Sequence, residues 1–282
     1  MSTKMTSKPA NIPMPEAAAP AAATGSSKLK ASLQTESYSA AAAKLSPTGG
    51  GAGAGPVAGI SPESAAVLAE AADAAPPEKS HRPAAKDKTA RKVYDNNQKR
   101  AAEMDLKRKG YEGELDGFAK HWGKNQERYV AVAEKTGVPA KLIAALHWRE
   151  SHGNFGTYLH QGDPLGKKAV HVPKNIPIFH KWEEAAVHAL NMKKSIRDKV
   201  EMDENTTDPA ALATYAEHYN GLGYHNRGRT SSYVWAGTDQ YTSGKYVADG
   251  KYSSKTRDRQ AGVMAMMTTA GQVDAKAAEA NK

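Results

Sequence analysis

Ala144-Ala145-Leu146-His147-Trp148-Arg149-Glu150-Ser151-His152-Gly153-Asn154-Phe155 reads as the end of an apolar helix that carries a carboxylate out of the core and breaks at a glycine. The helix opens at Pro139 and sets Leu142, Ile143, Leu146 and Glu150 at i, i+1, i+4 and i+8, so Glu150 shares a stripe with Leu142 and Leu146. A carboxylate on an apolar stripe is costly to bury ionised. Burial raises its pKa, and the negative end of a helix adds to the shift. A carboxyl kept protonated near neutral pH is what a general acid needs. An end-of-helix glutamate paired with Arg149 or a lysine would meet the same pattern.

Around this stretch the chain divides by composition. Of its nineteen Phe, Trp and Tyr, only Tyr38 and Tyr94 precede residue 100. A segment without aromatics buries too little apolar area to offset its ordering entropy. Residues 1–84, with Ala/Pro runs and Thr48-Gly-Gly-Gly-Ala-Gly-Ala-Gly-Pro56, are therefore expected to be a disordered, linker-like segment, with one short helix opening at Ser61-Pro62. Residues 85–110 are expected to form a basic helical arm, polar on nearly every side and ended by Gly110. Residues 111–270 form the expected folded domain, and residues 271–282 a flexible tail.

The formal net charge of +9 sits mostly in that arm: residues 82–109 hold ten Lys/Arg against four acidic residues. Such an arm suits an anionic partner, and equally a solvated charged helix. It lacks the interleaved aromatics and the recognised module of a nucleic-acid binder, which disfavours nucleic acid as the partner. The absence of cysteine removes disulfides and thiol nucleophiles. No apolar leader follows Met1 and no run is long enough for a membrane span.

Within the domain, Leu115, Phe118, Trp122, Tyr129 and Ala133 recur at helical spacing up to Gly137. An irregular stretch, 155–179, rich in Gly and Pro, is too long for an idle connection. A helix over 181–201 follows, then one capped by Asp208-Pro209 and closed by Asn220-Gly221. Residues 224–253 suggest short strands or extended loops, including Ser232-Tyr-Val-Trp-Ala-Gly and Lys245-Tyr-Val-Ala-Asp-Gly250, before a last helix over 256–269. The fold class is mainly α, with a small irregular or short-stranded lobe.

Arg149-Glu150-Ser151 with Gly153-Asn154-Phe155 resembles the Glu-Ser-x-Gly-x-Phe element of lysozyme-like proteins, the soluble lytic transglycosylases and goose-type lysozymes. Tyr219-Asn220-Gly221 resembles their later Tyr-Asn-x-Gly element. Gly156-Thr-Tyr-Leu-His-Gln-Gly-Asp-Pro-Leu-Gly166, Tyr219-Asn-Gly-Leu-Gly-Tyr-His and Ser232-Tyr-Val-Trp-Ala-Gly-Thr look like the muramidase modules of phage lysins and bacterial effectors. The resemblance covers about residues 115–268. It implies cleavage of the N-acetylmuramic acid–N-acetylglucosamine β-1,4 bond of peptidoglycan, with Glu150 as the catalytic acid and no cofactor or metal. The Gly-Leu-Met-Gln element of lytic transglycosylases is replaced by Gly162-Asp163-Pro164-Leu165-Gly166, which leaves room for a hydrolase with a second carboxylate. Asp163 is the candidate for it, ahead of Asp239 and Asp249; an Asp-Pro turn residue is the competing reading. Tyr158, His160, Tyr219, Asn220 and Tyr224 are the candidate sugar contacts.

The implied partners are peptidoglycan, and an immunity protein or a delivery or virion component acting through residues 1–110. The implied setting is the periplasm or cell wall, reached from the cytoplasm by a phage particle, lysis system or secretion system. Three other functions remain open: a lytic transglycosylase using the same Glu150, a structural or nucleic-acid-associated protein with an inactive core, and a zinc peptidase or amidase built on His160, Asp163 and His171.

Overall fold

The computed structural model describes residues 80–248 and 250–281. The expectations for residues 1–79, including the helix at Ser61, and for Asp249 lie outside the described residues. The described chain is mainly helical with one small antiparallel hairpin, and none of its helices is long and apolar enough to cross a membrane. In order come α1 (Lys88–Glu103), α2 (Glu112–Thr136), α3 (Ala140–Ser151), α4 (Trp182–Asn191), α5 (Lys194–Lys199), α6 (Pro209–Asn220), α7 (Gly223–Asn226), α8 (Ser232–Trp235), β1 (Lys245–Ala248), β2 (Lys251–Ser253) and α9 (Val263–Ala280).

Helix α3 is the axis of the fold. Leu142, Ile143, Ala144, Ala145, Leu146 and His147 are all buried, so the helix is enclosed on every side rather than along one stripe. It lies against α2, α9 and α6. Its alanines give neighbouring helices room to approach, and Trp122, Trp182, Trp235 and Tyr215 fill the space around the cluster.

The polar atoms of this interior are paired in series. His147 Nε2–H donates to Asn154 O at 3.1 Å, so its Nδ1 accepts from Tyr129 Oη at 2.9 Å, and Tyr129 in turn accepts from His121 Nε2–H at 2.5 Å. Burial holds His147 neutral, its pKa pushed down to about 3. The relay ties α2 to α3 and fixes the turn that follows α3. That turn needs left-handed backbone at His152 (φ 52) and Gly153 (φ 71). A Cβ on Gly153 would stand 2.4 Å from His121 Cε1, so glycine is required there for space as well as for φ.

The basic arm is part of the domain. Helix α1 lies along α6 through buried Ala90, Val93 and Tyr94. Tyr94 Oη donates to Asp208 at 2.6 Å, and buried Asn97 donates to Thr214 and Glu217. Ahead of it, within the segment expected to be disordered, His81 Nδ1–H donates to Val200 O at 2.8 Å. Four inward residues are enough to seat α1, and Lys88, Lys92 and Lys99 stay exposed on its outer face. The helix stops at Glu103, short of Gly110, because Leu106 pairs in an isolated bridge with Thr238.

Two other boundaries differ from the sequence expectation. The 181–201 helix is split into α4 and α5 at Met192-Lys193. The last helix begins at Val263 and runs to Ala280, through the segment expected to fray. Its start is set by Gly262, where a Cβ would lie 2.6 Å from Val234 O. Its length is held by Asp274, which accepts from Trp122 Nε1 at 2.8 Å and Gln126 at 2.9 Å and pairs with Lys141 at 2.8 Å. Helix α6 keeps its expected cap: Asp208 accepts from Ala210 N, with Pro209 at the first helical position.

A frayed tail tolerates substitution within about 0.5 kcal/mol. Asp274→Ala is expected to cost about 1–3 kcal/mol, because it strands the Trp122 N–H and the Lys141 ammonium. Urea denaturation followed by Trp fluorescence reads the difference.

Candidate active site

Glu150 lies in the last turn of α3, beside an Arg149 that solves its own charge separately. Arg149 Nη2 bonds Asp258 Oδ2 at 3.1 Å, and both side chains are almost fully buried, at 7% and 2% exposure. Arg149 also reaches Gln260 O and Ala261 O, and its guanidinium covers the Tyr233 ring at 4.8 Å. Glu150 is left with a phenol: Tyr233 Oη donates to Glu150 Oε1 at 2.8 Å.

That difference decides the protonation states. Burial pushes the Glu150 carboxyl up to about 7, against the smaller lowering effects of the Tyr233 hydrogen bond and the charges of Arg149 and Lys193. The residue keeps a partly exposed edge, yet protein atoms crowd its carboxyl. Asp258 is also buried, which alone would raise its pKa, but Arg149, Lys245 and Ser232 outweigh burial and hold it below the ordinary value. One carboxyl of the site is therefore a proton reservoir near neutral pH and the other a fixed anion.

Asp258 organises the wall opposite α3. Its Oδ1 accepts from Lys245 Nζ at 3.0 Å and its Oδ2 from Ser232 Oγ at 2.9 Å. With its hydrogen given to Asp258, Ser232 accepts from Tyr224 Oη, which accepts the Tyr246 N–H. This chain holds α8, α7 and the hairpin in one arrangement. The hairpin pairs Lys245 with Ser253 and Tyr246 with Tyr252, and Tyr224 and Tyr246 meet edge to face at 5.0 Å. Between them and α6 opens a cavity of about 460 Å³, lined among others by Arg149, Asn220, Tyr224, Tyr233, Lys245 and Tyr246. Glu150 is not among its lining residues; it meets the cavity through its bond to Tyr233.

The expected site residues separate into two groups. Asn220 and Tyr224 line the cavity beside the Glu150–Tyr233 pair. Asp163 does not offer a free carboxylate. It is buried and accepts from Val170 N at 2.8 Å, His171 N at 3.0 Å and Gln161 Nε2, with His171 Nδ1 at 2.6 Å on the other oxygen. Burial would raise its pKa, and these bonds bring it below the ordinary value. The residue is the internal anchor of the irregular lobe, its bonds spent on chain that needs them. Asp239 is likewise engaged, accepting from Asp105 N at 2.9 Å.

Three expected sugar contacts are internal as well. Tyr158 is fully buried, donating to Lys167 O and accepting from Phe179 N. His160 Nε2 meets His188 Nδ1 at 2.8 Å, and its ring lies nearly parallel to Phe179. His160 is thus directed away from the Asp163–His171 pair, and among the described residues no three His, Cys, Asp or Glu gather as metal ligands. Tyr219 Oη donates to Leu159 O at 2.9 Å, pinning the lobe to α6. The lobe is pinned at a second point by Gly162 (φ +78), where a Cβ would stand 3.0 Å from Glu150 O.

The sequence reading missed Tyr233, Arg149, Lys245 and Asp258 as site residues. The Ser232-Tyr-Val-Trp segment, expected as extended chain, is the single turn α8, and that turn directs Tyr233 inward. The one available signal was Ser232 beside Tyr233 in a segment read as extended chain; Asp258 fell in the stretch 256–269 read as the last helix.

Linkage fixes the sign of a stability test. A carboxyl whose folded pKa lies near 7 and whose ordinary value is 4.5 costs stability as pH rises through that window. Glu150→Gln keeps an acceptor for Tyr233 and is expected to match the parent below pH 4. By pH 8 it is expected to be more stable by about 1–3 kcal/mol. Parallel denaturant titrations across pH 4–8 check this.

Comparison of the chain with known protein families, curated proteins and solved structures gives no match.

Proposed function

We propose that the protein cleaves the glycan strand of peptidoglycan at the N-acetylmuramic acid–N-acetylglucosamine β-1,4 bond, with Glu150 as the general acid. The observation that carries this is a carboxyl with a pKa pushed up to about 7 by burial, aligned by Tyr233 at the edge of a tyrosine-lined cavity. Such a group still carries its proton in a large share of molecules near neutral pH and is close enough to neutrality to give it up. Tyr246 presents aromatic surface on which a pyranose ring can stack, with Tyr224 buried edge-on behind it, and Asn220 supplies an exposed amide for an N-acetyl group. The Glu-Ser and Tyr-Asn-Gly resemblance supports the same reading.

Glu150 protonates the glycosidic oxygen, the C1–O bond breaks, and positive charge gathers at C1 and the ring oxygen. A hydrolase of the two-carboxylate type then needs a second free carboxylate. Asp163 is bound into its loop, and Asp258 is held by Arg149 and Lys245. This favours closure by the sugar's own 6-hydroxyl: its oxygen bonds to C1 while Glu150, now ionised, takes the hydroxyl proton. The acid is regenerated and a 1,6-anhydro sugar leaves. The muramidase form, in which water attacks C1 instead, is the second reading and rests on the same Glu150.

Mass spectrometry of the soluble fragments from purified sacculi separates the outcomes, with anhydro ends expected over reducing ends. Glu150→Gln is expected to cut release at least 100-fold with the fold intact; undiminished release by that variant sinks the assignment. Asp163→Asn, compared per folded molecule, is expected to stay within about threefold of the parent while losing about 1–3 kcal/mol of stability. Tyr233→Phe removes a bond that favours the Glu150 carboxylate. The alkaline limb of its rate profile is expected at higher pH than the parent's.

A further inference from the structure

Lys193 stands at the junction of α4 and α5, half-buried, with its charge acting on Glu150. Its Nζ donates to His218 O at 3.1 Å and lies 5.8 Å from the centre of the Tyr219 ring. Its neighbours each have an ion-pair partner: Lys194 and Arg197 share Asp198, and Lys199 pairs with Asp87. Among the described residues, Lys193 forms no ion pair. An ammonium carries three donors, and the His218 carbonyl takes one. Among the described residues no carboxylate lies within ion-pair distance of it, and only Glu150, when ionised, acts on it from further away.

We propose that Lys193 binds a carboxylate of the substrate, setting an acidic substituent of the glycan strand beside the bond that Glu150 protonates. The inference rests on the glycan-cleavage reading above. The place of Lys193 supports it: His218 and Tyr219 sit in the last turn of α6, and Asn220 and Gly221, the next residues, line the cavity. The fixed charge around the site has the matching sign. Arg149 and Lys245 share the single carboxylate of Asp258, so that wall is left with net positive charge, and Lys193, though not among the lining residues, adds a further cation against the last turn of α6. A cleft walled this way concentrates anions. An uncharged strand of the same shape leaves Lys193 unpaired, whereas a strand carrying carboxylates satisfies it.

The test uses the full chain on sacculi and on the same sacculi with their carboxylates converted to amides, the glycan intact. The parent is expected to lose about tenfold in kcat/KM on the amidated wall, mainly through KM. Lys193→Gln is expected to lose a similar factor on native sacculi and to treat both substrates alike, while Lys193→Arg restores the preference. A melting curve confirms that each variant is folded. Equal cutting of the two substrates by the parent, or a preference retained by Lys193→Gln, overturns the inference and leaves glycan cleavage standing. The inference also falls if Lys193→Gln shifts only the pH limb, since Lys193 then only adjusts Glu150. A parent that cuts neither wall overturns the glycan-cleavage reading and this inference with it.

Discussion

Two adjacent residues at the end of a fully enclosed helix face opposite electrostatic problems, and the fold gives them different answers. Arg149 has no way to shed its charge, so it must meet a carboxylate, and Asp258 is brought to it from 109 residues away. Glu150 can shed its charge by taking a proton, and it meets only a phenol, Tyr233. If the two were paired with each other, both would be ordinary ions. Keeping them apart leaves one carboxyl with a pKa near neutrality. Much of the surrounding architecture follows from that separation: α8 turns so that Tyr233 reaches α3, and the loop before α9 places Asp258 under the guanidinium.

Such a pairing needs the helix axis to be rigid. Breaking a buried pair by removing one partner costs about 3–5 kcal/mol, because an unpaired charge is left behind. The Arg149–Asp258 contact therefore specifies the arrangement of α3 against the α8–α9 loop more than it adds net stability. The neutral relay from His121 through Tyr129 and His147 to Asn154 serves the same end without charge. It holds the turn after α3 by bonds that do not change until well below neutral pH, since His147 titrates near 3.

The parts of this arrangement written in local sequence were readable from it. The helix after Pro139, the stop at Gly153, the Asp208-Pro209 cap and the Asn220-Gly221 end all appear as read, because each depends on residues within a turn or two. Glu150 was readable because it breaks an apolar pattern. Asp163 was misread because an Asp-Pro pair in a Gly-rich lobe looks the same whether its carboxylate faces a cleft or its own loop. What decides is the backbone N–H groups of Val170 and His171, which have no other sequence signature. Tyr158 and Tyr219 were misplaced for a related reason: a tyrosine can end in a carbonyl of the core as easily as in a cleft. Tyr233 was hard to place because a one-turn helix carries no periodicity, and Asp258 because it lies in irregular chain before α9 that reads as helix; their partners lie 83 and 109 residues away.

On the proposed reading, the distribution of charge bears on how the reaction must finish. The cation that develops at C1 seeks a nearby anion, yet Lys193, Arg149 and Lys245 make the surroundings positive, and Asp258 is committed to two of them. The negative charge freshest to hand is Glu150 itself once its proton has gone. The carboxylate that begins the reaction as acid is then the group that steadies the cation. Only a nucleophile whose proton it can take back closes the cycle. A hydroxyl already attached to the sugar meets that demand without a second acid, and it arrives with the substrate rather than by diffusion. Among the described residues, a site with one titrating carboxyl, a phenol to align it and Asp163 and Asp258 both tied down is economical for that chemistry, and poorly equipped for one that needs two.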